Sequence, residues 1–341
     1  MDPKPVRLAL VGCGGMGNGH LKILAKREEV QLVACCDIEE QKARQAGETY
    51  GCDWYTEYEK MLARDDIDAV DVVTWSGNHA ELGTLAAESG RHVLTEKPID
   101  LDLRKIDRLI ETCERKKLKL GCIFQSRFGP QNRQVKQAID EGKLGQILSC
   151  SGYIKWYRAQ SYYDRAAWAG TWALDGGCLA NQSIHTIDQM VWMAGPVAKC
   201  VYCNLQTKLH NMEAEDFAIA VVKFENDAVG VIEATTCAAP DGLPGGIQIF
   251  GSKGSAAVGG GQFVLKYEGM EQEPKPEEKP AEEGTHGRRD PLAIGLGGHE
   301  AQILDFVQAI QYGGEPFVTG RAARVAVDCL TKIYDRHRKG R

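Results

Sequence analysis

Three glycines that follow a short apolar segment have the spacing of a dinucleotide-binding turn. Gly12, Gly14 and Gly17 form a GxGxxG pattern directly after the apolar residues 6–11. The first glycine would permit a tight turn, the second would let the backbone approach a pyrophosphate, and the third would let a helix pack against the strand. Amides at the N-terminus of that helix would donate hydrogen bonds to the phosphates. The predicted cofactor-binding residues of the turn are Gly12, Gly14, Gly15, Met16 and Gly17.

An acidic residue stands where such a site needs a partner for the ribose. Asp37 lies 37 − 17 = 20 residues beyond Gly17, at the end of a second apolar run. A carboxylate at that distance can accept hydrogen bonds from the hydroxyls of the adenosine ribose. It would repel a 2′-phosphate, and the next residue, Ile38, carries no compensating cation. The sequence therefore favours NAD over NADP as the cofactor.

A lysine that follows another apolar run is a candidate catalytic residue. Lys97 stands between Glu96 and Pro98, directly after residues 92–95. Ligands of open α/β sheets bind at the C-terminal edge of the strands, so Lys97 is expected at the nicotinamide end of the cleft. It could act as a general base if burial or nearby positive charge lowers its pKa, or it could hold a substrate oxygen by hydrogen bonds. A surface lysine that opens a loop is the alternative interpretation.

A second polar pair follows two glycines later in the chain. After Gly176 and Gly177 the apolar spacing predicts a helix, on which Asn181 and His185 are four residues apart and share a face. A polar pair on an otherwise apolar helix is typical of a cleft. The alternative is a core histidine that is bonded to a backbone group.

The elements that must position these residues divide the chain into two parts. Strand-like and amphipathic segments alternate over residues 1–124, which predicts a parallel, doubly wound sheet of the Rossmann type. The strand-like runs are residues 6–11, 31–36, 67–74, 92–95 and 118–124, and the clearest amphipathic helix is 101–116.

Residues 125–320 are predicted to form an α/β domain for substrate binding and oligomerisation, with a large, open and mainly antiparallel sheet. One face of that sheet needs helices or a neighbouring subunit to cover it. An exposed loop is expected at about 271–291, and a C-terminal helix at 321–341.

Composition limits the partners of the protein. The 341 residues carry a formal net charge of −6, so nucleic acid is not an expected partner. No apolar run approaches the roughly 20 residues of a membrane-spanning helix. No signal-peptide pattern precedes the first strand, so a cytoplasmic protein with reduced thiols is expected. The CxxC pair of Cys200 and Cys203 lies in a predicted strand that would turn them to opposite faces, and no metal site is predicted.

Three of these motifs together resemble the Gfo/Idh/MocA oxidoreductases. They are the GxGxxG turn, Glu96-Lys97-Pro98, and the run from Gly176-Gly177 through Asn181 and His185 to Asp188, and they occur in the family's order over nearly the whole chain. The resemblance implies a Rossmann domain followed by an α/β domain with an open sheet. It also implies homodimers or homotetramers packed through those sheets, and hydride transfer between NAD(P) and a carbon of a sugar or cyclitol.

The resemblance assigns roles to individual residues. Lys97 matches the family's active-site lysine, and His185 matches a histidine that is often assigned to proton transfer. Asn181 stands where many members have Asp; members resembling UDP-N-acetyl-glucosaminuronate 3-dehydrogenases have a similar run with Asn. An amide cannot share a proton as a carboxylate can, so acid–base work is left to Lys97 and His185. Which of the two is the base stays open.

The resemblance and the residue types together define the remaining site. Aromatic rings stack on the C–H faces of sugars, Asn, Asp and Arg bind hydroxyls, and Arg127 or Arg158 would suit a uronate or a nucleotide sugar. Further cofactor-binding residues are expected at Thr74, Asn78, His79, Glu96, Lys97 and Gln125. Expected substrate-binding residues are Lys97, Arg127, Trp156, Arg158, Tyr163, Trp168, Trp172, Asp175, Asn181 and His185.

Three functions are compatible with this site. The leading hypothesis is NAD-dependent oxidation of a secondary hydroxyl, with C3 as the expected carbon, in a sugar, glycoside or sugar derivative. The first alternative is an NAD-dependent glycoside hydrolase that oxidises C3 transiently, eliminates, adds water and reduces the ketone again. The second is a non-catalytic NAD-binding sensor. A need for added NAD separates the first two, and replacement of Lys97 or His185 separates both from the third.

Overall fold

The computed structural model describes residues 3–271 and 296–340. The chain divides into two compact units, Met1–Gln125 with Leu296–Arg324, and Ser126–Gly295 with Val325–Arg341. Nearly all of the loop expected at 271–291 lies outside the described residues. Among the described helices, none is both long enough and apolar enough to cross a membrane.

The first unit is built on a parallel sheet. Its six strands run in the order β3-β2-β1-β4-β5-β6, which is the Rossmann order, and every pair is parallel. The strands are β1 (Val6–Val11), β2 (Val30–Cys36), β3 (Asp53–Tyr55), β4 (Ala69–Val72), β5 (His92–Thr95) and β6 (Leu120–Cys122). The connecting helices are α1 (Gly15–Leu24), α2 (Glu40–Tyr50), α3 (Tyr58–Leu62), α4 (His79–Glu88) and α5 (Leu103–Lys116). The prediction of a doubly wound domain is confirmed.

The second unit is built on a sheet of seven strands. Their order is β13-β12-β11-β7-β10-β9-β8, and every pair is antiparallel except that of β7 with β10. The strands are β7 (Ile147–Lys155), β8 (Val197–Gln206), β9 (Phe217–Phe224), β10 (Val229–Thr235), β11 (Leu243–Gly251), β12 (Gly254–Gly259) and β13 (Gln262–Tyr267). The helices between residues 126 and 195 are α6 (Pro130–Asp140), α7 (Gln160–Asp164) and α8 (Ile184–Ala194). A mainly antiparallel open sheet was expected and is found.

Helix α9 (Gly297–Tyr312) belongs to the first unit, although the sequence division placed it with the second. The Gln302 side chain accepts a hydrogen bond from the Phe124 amide at 2.8 Å and donates to the Cys122 carbonyl at 2.6 Å. Phe306 packs against Gly121, where an added Cβ would lie 3.0 Å from its ring. These contacts join the helix to the end of β6, which is distant in sequence. The boundary between the units falls within the last helix, α10 (Gly320–Lys339).

A bulge in β8 changes the expected position of the CxxC pair. Cys200 pairs with Val222 and Cys203 pairs with Ala220, while the register shifts by one residue between them. Both cysteines therefore lie on the same face of the sheet, and the expectation that they face opposite sides is wrong. An extra residue in one strand reverses the alternation of side chains, and this cannot be seen in a simple period of two.

Candidate functional site

The glycine-rich turn has the shape that a bound pyrophosphate requires. Gly12 has a φ of +99°, and a Cβ there would lie 2.2 Å from the carbonyl oxygen of the residue after β4. A Cβ on Gly17 would lie 1.8 Å from the Gly12 carbonyl oxygen, whereas one on Gly14 would meet no atom within 4 Å. Gly14 caps α1, whose first residues are the exposed Gly15 and the half-buried Met16. The turn thus leaves an open cradle at the helix amides that fits the phosphates of NAD.

Asp37 is held at the end of β2 by two backbone amides. Its Oδ2 accepts a hydrogen bond from the Cys13 amide at 2.8 Å, and its Oδ1 accepts one from the Glu39 amide at 2.9 Å. The carboxylate is therefore tied to the glycine-rich turn, and each oxygen has further acceptor capacity. The neighbouring Ile38 is 74% exposed and brings no positive charge. This arrangement fits ribose hydroxyls and disfavours a 2′-phosphate.

The loop after β4 is fixed by internal hydrogen bonds. The Thr74 hydroxyl lies 2.6 Å from the side-chain amide of Asn78. His79 is buried, and its Nδ1 lies 2.7 Å from the Pro98 carbonyl oxygen while its Nε2 lies 3.1 Å from the Thr74 carbonyl oxygen. The contacts of His79 are thus with backbone around the Lys97–Pro98 bond, which is cis. They give it a structural role beside the predicted cofactor site.

Glu96 and Lys97 occupy different environments at the end of β5. Glu96 is buried, with its Oε1 3.1 Å from His20 Nε2, and its Oε2 accepts a hydrogen bond from the Lys97 amide at 2.9 Å. Lys97 is half-buried. Gln125 is also half-buried and packs against Gly298, where an added Cβ would lie 3.2 Å from its own. Glu96 is therefore an internal support of this segment.

The predicted helical face shared by Asn181 and His185 does not exist. Helix α8 begins at Ile184, so His185 is its second residue and Asn181 lies in the turns before it. The prediction that one helix carries both side chains is wrong. Asn181 is held instead through its amide, whose Nδ2 donates to Asp175 Oδ1 at 2.6 Å.

Glu215 holds the segment that precedes α8. Its backbone carbonyl accepts a hydrogen bond from the Cys178 amide at 2.8 Å, and its Oε1 accepts one from the Leu179 amide at 3.0 Å. The Tyr334 hydroxyl donates to the same Oε1 at 3.1 Å. A Cβ on Gly177 would lie 2.0 Å from Glu215 Oε2, so only glycine allows this approach. Glu215 thus satisfies two successive amides of this segment and fixes its position.

Five side chains between residues 156 and 168 alternate aromatic rings with guanidinium groups. Arg158 Cζ lies 5.1 Å from the ring centre of Trp156 and 5.4 Å from that of Tyr162. Arg165 Cζ lies 3.9 Å from the ring centre of Tyr162 and 5.1 Å from that of Trp168. We call these five residues the cation–aromatic series. Each guanidinium thus lies near two aromatic rings, and such contacts hold the rings and the cations in place.

Tyr162 connects the cation–aromatic series to the predicted substrate site. Its hydroxyl lies 3.4 Å from Asn181 Nδ2 and 3.4 Å from Gln182 Nε2. Arg158 is buried, and burial lowers the pKa of its guanidinium, whereas Arg165 is exposed. The series therefore places one buried and one exposed cation beside the ring whose hydroxyl contacts Asn181.

Several predicted substrate residues have contacts of a structural kind. The Arg127 guanidinium is 5% exposed and bonds both oxygens of the fully buried Asp188, at 2.8 and 2.5 Å. It is committed to that carboxylate, so these contacts do not support the expected role in binding an anion. Tyr163 is buried with its hydroxyl 2.8 Å from Thr236 Oγ1.

Asp175 and Trp172, which were also expected to bind substrate, have structural contacts as well. Asp175 is 2% exposed, and its Oδ2 accepts a hydrogen bond from the Gly170 amide at 2.7 Å. Its Oδ1 accepts from Asn181, so it orients the amide that was expected to contact substrate. The Trp172 ring packs edge-on against Tyr334 at 5.2 Å.

The sequence analysis did not single out His20, Tyr162, Arg165 or Glu215. One signal was present for His20, because Asp71 is a charged residue inside the apolar run 67–74 and a carboxylate in a buried strand needs a partner. No comparable signal exists for Glu215, whose partners are 36 and 119 residues away.

Two family models match the chain in the order of its two units. The model described as "Oxidoreductase family, NAD-binding Rossmann fold" matches residues 6–124, and the "GFO/IDH/MocA C-terminal domain" matches residues 132–257. The chain belongs to the Gfo/Idh/MocA oxidoreductase family. It is therefore an NAD(P)-dependent oxidoreductase, and its cofactor is NAD, as the glycine-rich turn and Asp37 predicted. Membership decides against the non-catalytic sensor.

Relatives in this family act on different carbohydrates. The crystal structure of the WlbA dehydrogenase from Bordetella pertussis, in complex with NADH and UDP-GlcNAcA, is 30% identical, with a TM-score of 0.86 over 99% of this chain and 98% of that one. A myo-inositol 2-dehydrogenase from Thermotoga maritima is 26% identical over 73% of this chain and 74% of its own. A 2,7-anhydro-N-acetylneuraminate hydratase from Mediterraneibacter gnavus is 27% identical over 98% and 96%.

Proposed function

We propose that the protein oxidises the C3 hydroxyl of an anionic sugar derivative, of the nucleotide-linked uronate class, with NAD as the hydride acceptor. The observation that carries the proposal is the cation–aromatic series beside Asn181, in which the exposed Arg165 is the cation that a ligand can reach and the buried Arg158 supports the Tyr162 ring. A sugar uronate or a diphosphate needs such charges, and a base or sugar ring can stack on the aromatic members. Similarity to the WlbA dehydrogenase over the full chain supports the same substrate class.

The residues of the chain divide the chemistry among them. Bound NAD supplies the acceptor for the hydride. Lys97 and His185 are the two groups proposed to take the hydroxyl proton, and each belongs to a segment that backbone contacts hold in place. Asn181 orients the sugar by hydrogen bonding, because Asp175 fixes the orientation of its amide.

A second function is favoured by one relative. The hydratase from Mediterraneibacter gnavus matches nearly the full length of the chain, and its name describes the addition of water to an anhydro sugar. The proposed chemistry for this alternative is oxidation at C3, elimination across the neighbouring bond, hydration and reduction of the ketone. NAD would then be regenerated within each turnover.

The test is an assay of NADH absorbance with a panel of UDP-sugar uronates, neutral sugars and anhydro sugars, with and without added NAD. If a UDP-sugar uronate gives net NADH, and only when NAD is added, the first proposal is supported. Conversion of an anhydro sugar without net NADH supports the second. Oxidation of neutral sugars alone contradicts the proposed substrate class.

Variants of the two acid–base candidates complete this test. Lys97→Met and His185→Asn are each expected to lower kcat by about 100-fold or more if that residue moves the proton. Lys60→Met is the control, because Lys60 lies on the surface and pairs with Glu57 one turn away. If neither variant lowers kcat, the acid–base roles proposed for Lys97 and His185 are wrong.

A further inference from the structure

A buried group of charges lies behind Lys97 and has no role in the chemistry proposed above. His20 on α1 is fully buried. Its Nδ1 lies 2.8 Å from Asp71 Oδ2 on β4, and its Nε2 lies 3.1 Å from Glu96 Oε1. Both carboxylates are also buried. The ring is thus enclosed between two acids in the interior of the first unit.

The two contacts define the protonation state of His20. A neutral imidazole has one N–H, whereas an ionised carboxylate can only accept. Only the imidazolium can donate to Asp71 and Glu96 at once. Burial works against a charged ring, but the two carboxylates outweigh it and raise the pKa of His20 to about 10. The same ring opposes the effect of burial on Glu96 and holds the pKa of that carboxyl below its usual range.

Among the described residues, His299 and Lys97 are further titratable groups beside this cluster, and the Cys122 thiol contacts the Glu96 carbonyl oxygen at 3.7 Å. His299 Nε2 on α9 lies 3.7 Å from Glu96 Oε1, and its ring centre lies 5.7 Å from that of His20. Burial lowers the pKa of His299 to about 4, so it is neutral near pH 7. The Lys97 ammonium further stabilises the Glu96 carboxylate. Two cations, His20 and Lys97, therefore balance two carboxylates.

The backbone at Lys97 is attached to this group. Glu96 Oε2 accepts a hydrogen bond from the Lys97 amide at 2.9 Å, while its Oε1 faces His20. We propose that His20, as a charged imidazolium, is a positioning residue for Lys97. It orients Glu96, which fixes the Lys97 backbone, and its charge sets the electrostatic potential at the lysine. The proposal rests on the catalytic role proposed for Lys97.

A metal ion is the competing explanation for this cluster. His20, Glu96 and His299 each offer one ligand atom, and these atoms lie within 4.8 Å of one another. A metal would need the lone pair on His20 Nε2, which the imidazolium lacks. The two explanations therefore predict different states of one nitrogen atom.

The first experiment is nitrogen NMR of the full chain with ¹⁵N-labelled histidine, which needs no substrate. At about pH 8.5 both ring nitrogens of His20 are expected to carry protons, and the signals are assigned by their loss in His20→Gln. His92 is the internal control, because its Nδ1 accepts the Lys119 amide at 2.8 Å and the ring must be neutral. A neutral His20, or one equivalent of bound zinc by mass spectrometry, would overturn the proposal.

The second experiment follows the effect on Lys97. His20→Gln is expected to lower kcat about tenfold with little change in the KM for NAD. The acidic limb in the pH profile of kcat for this variant should move to higher pH. Two carboxylates without the imidazolium would stabilise the Lys97 ammonium, so the lysine would lose its proton only at a higher pH. The double variant that also carries Glu96→Gln should return the acidic limb toward its original position, because one carboxylate then faces one ammonium.

His92→Gln is the matched control and should leave both kcat and the pH profile unchanged. A merely structural role for His20 predicts a loss of kcat that follows the folded fraction, measured by circular dichroism, with an unchanged pH profile. That outcome would overturn the proposal. If no substrate is turned over at all, the NMR result still decides the charge of His20, so the two failures are distinguishable.

Discussion

Glu215 and Asp216 are adjacent carboxyls whose surroundings give them opposite properties. Asp216 accepts hydrogen bonds from the amides of residues 208–210, and its Oδ2 lies 3.0 Å from His210 Nδ1. These donors outweigh burial and lower the pKa of Asp216. Glu215 has donors on Oε1 only, and Oε2 has no hydrogen-bond partner among the described residues. Burial therefore raises the pKa of Glu215 to about 7.

This difference predicts a pH-dependent stability that originates at Glu215. Between its usual pKa of 4.5 and about 7, the folded protein retains a proton that the unfolded chain has lost. The free energy of unfolding should therefore fall as pH rises through this window, by about 3 kcal/mol if the full shift is realised. Glu215→Gln should remove that part of the slope, as measured by urea unfolding from about pH 4.5 to 8.

The control for this prediction is Glu48→Gln, which changes an exposed carboxylate paired with Arg44. It should leave the slope unchanged. Parallel stability curves for Glu215→Gln and the wild-type chain would show that Glu215 is not the group responsible.

At the scale of elements, the segment before α8 depends on the close approach of Gly177 to Glu215. An alanine at 177 would place its Cβ 2.0 Å from Oε2 and 2.1 Å from Cδ of a buried side chain. Gly177→Ala should therefore lower the free energy of unfolding by about 1–3 kcal/mol, as urea unfolding would measure. It should also lower kcat/KM, because the displaced turn carries Asn181.

Gly314→Ala is the matched control for this substitution. Its added Cβ would meet no atom within 4 Å, and neither glycine has a positive φ. The change in stability should stay within about 0.5 kcal/mol. Equal effects of the two substitutions would mean that the contact with Glu215 does not matter.

At the scale of the whole molecule, one face of the seven-stranded sheet is the surface on which we expect subunits to associate. Side chains that point away from α8 include Tyr202, Val229 and Phe250, each about half exposed, and Val264. Contiguous apolar surface of this kind usually marks an interface. The homodimer or homotetramer expected from the sequence therefore stays a prediction with a defined surface.

Phe250→Asp should reduce the native mass to that of a monomer, because a buried, unpaired carboxylate would oppose association. Light scattering coupled to size-exclusion chromatography measures this mass. Tyr312→Asp is the control: Tyr312 is also an exposed aromatic residue, but it is the last residue of α9 and does not belong to this sheet. An unchanged mass for Phe250→Asp would exclude this face as the interface.

The sequence by itself determined the features that depend on short stretches of chain. The glycine-rich turn, Asp37 and the strand–helix alternation each follow from local rules of backbone geometry and side-chain period, so the Rossmann domain and its cofactor could be predicted. The same was true of the open sheet, because strand signals recur at short intervals.

Only the tertiary structure decided which groups meet across long separations. His20 needs acids 51 and 76 residues away, and Glu215 holds the Leu179 amide 36 residues before it. No local period reveals such partners. The bulge between Cys200 and Cys203 even reverses the alternation of side chains that a strand period of two predicts. Buried hydrogen bonds therefore set the charge of His20, the turn that carries Asn181 and the pairing of Arg127, because burial makes an unpaired polar group too costly to remain.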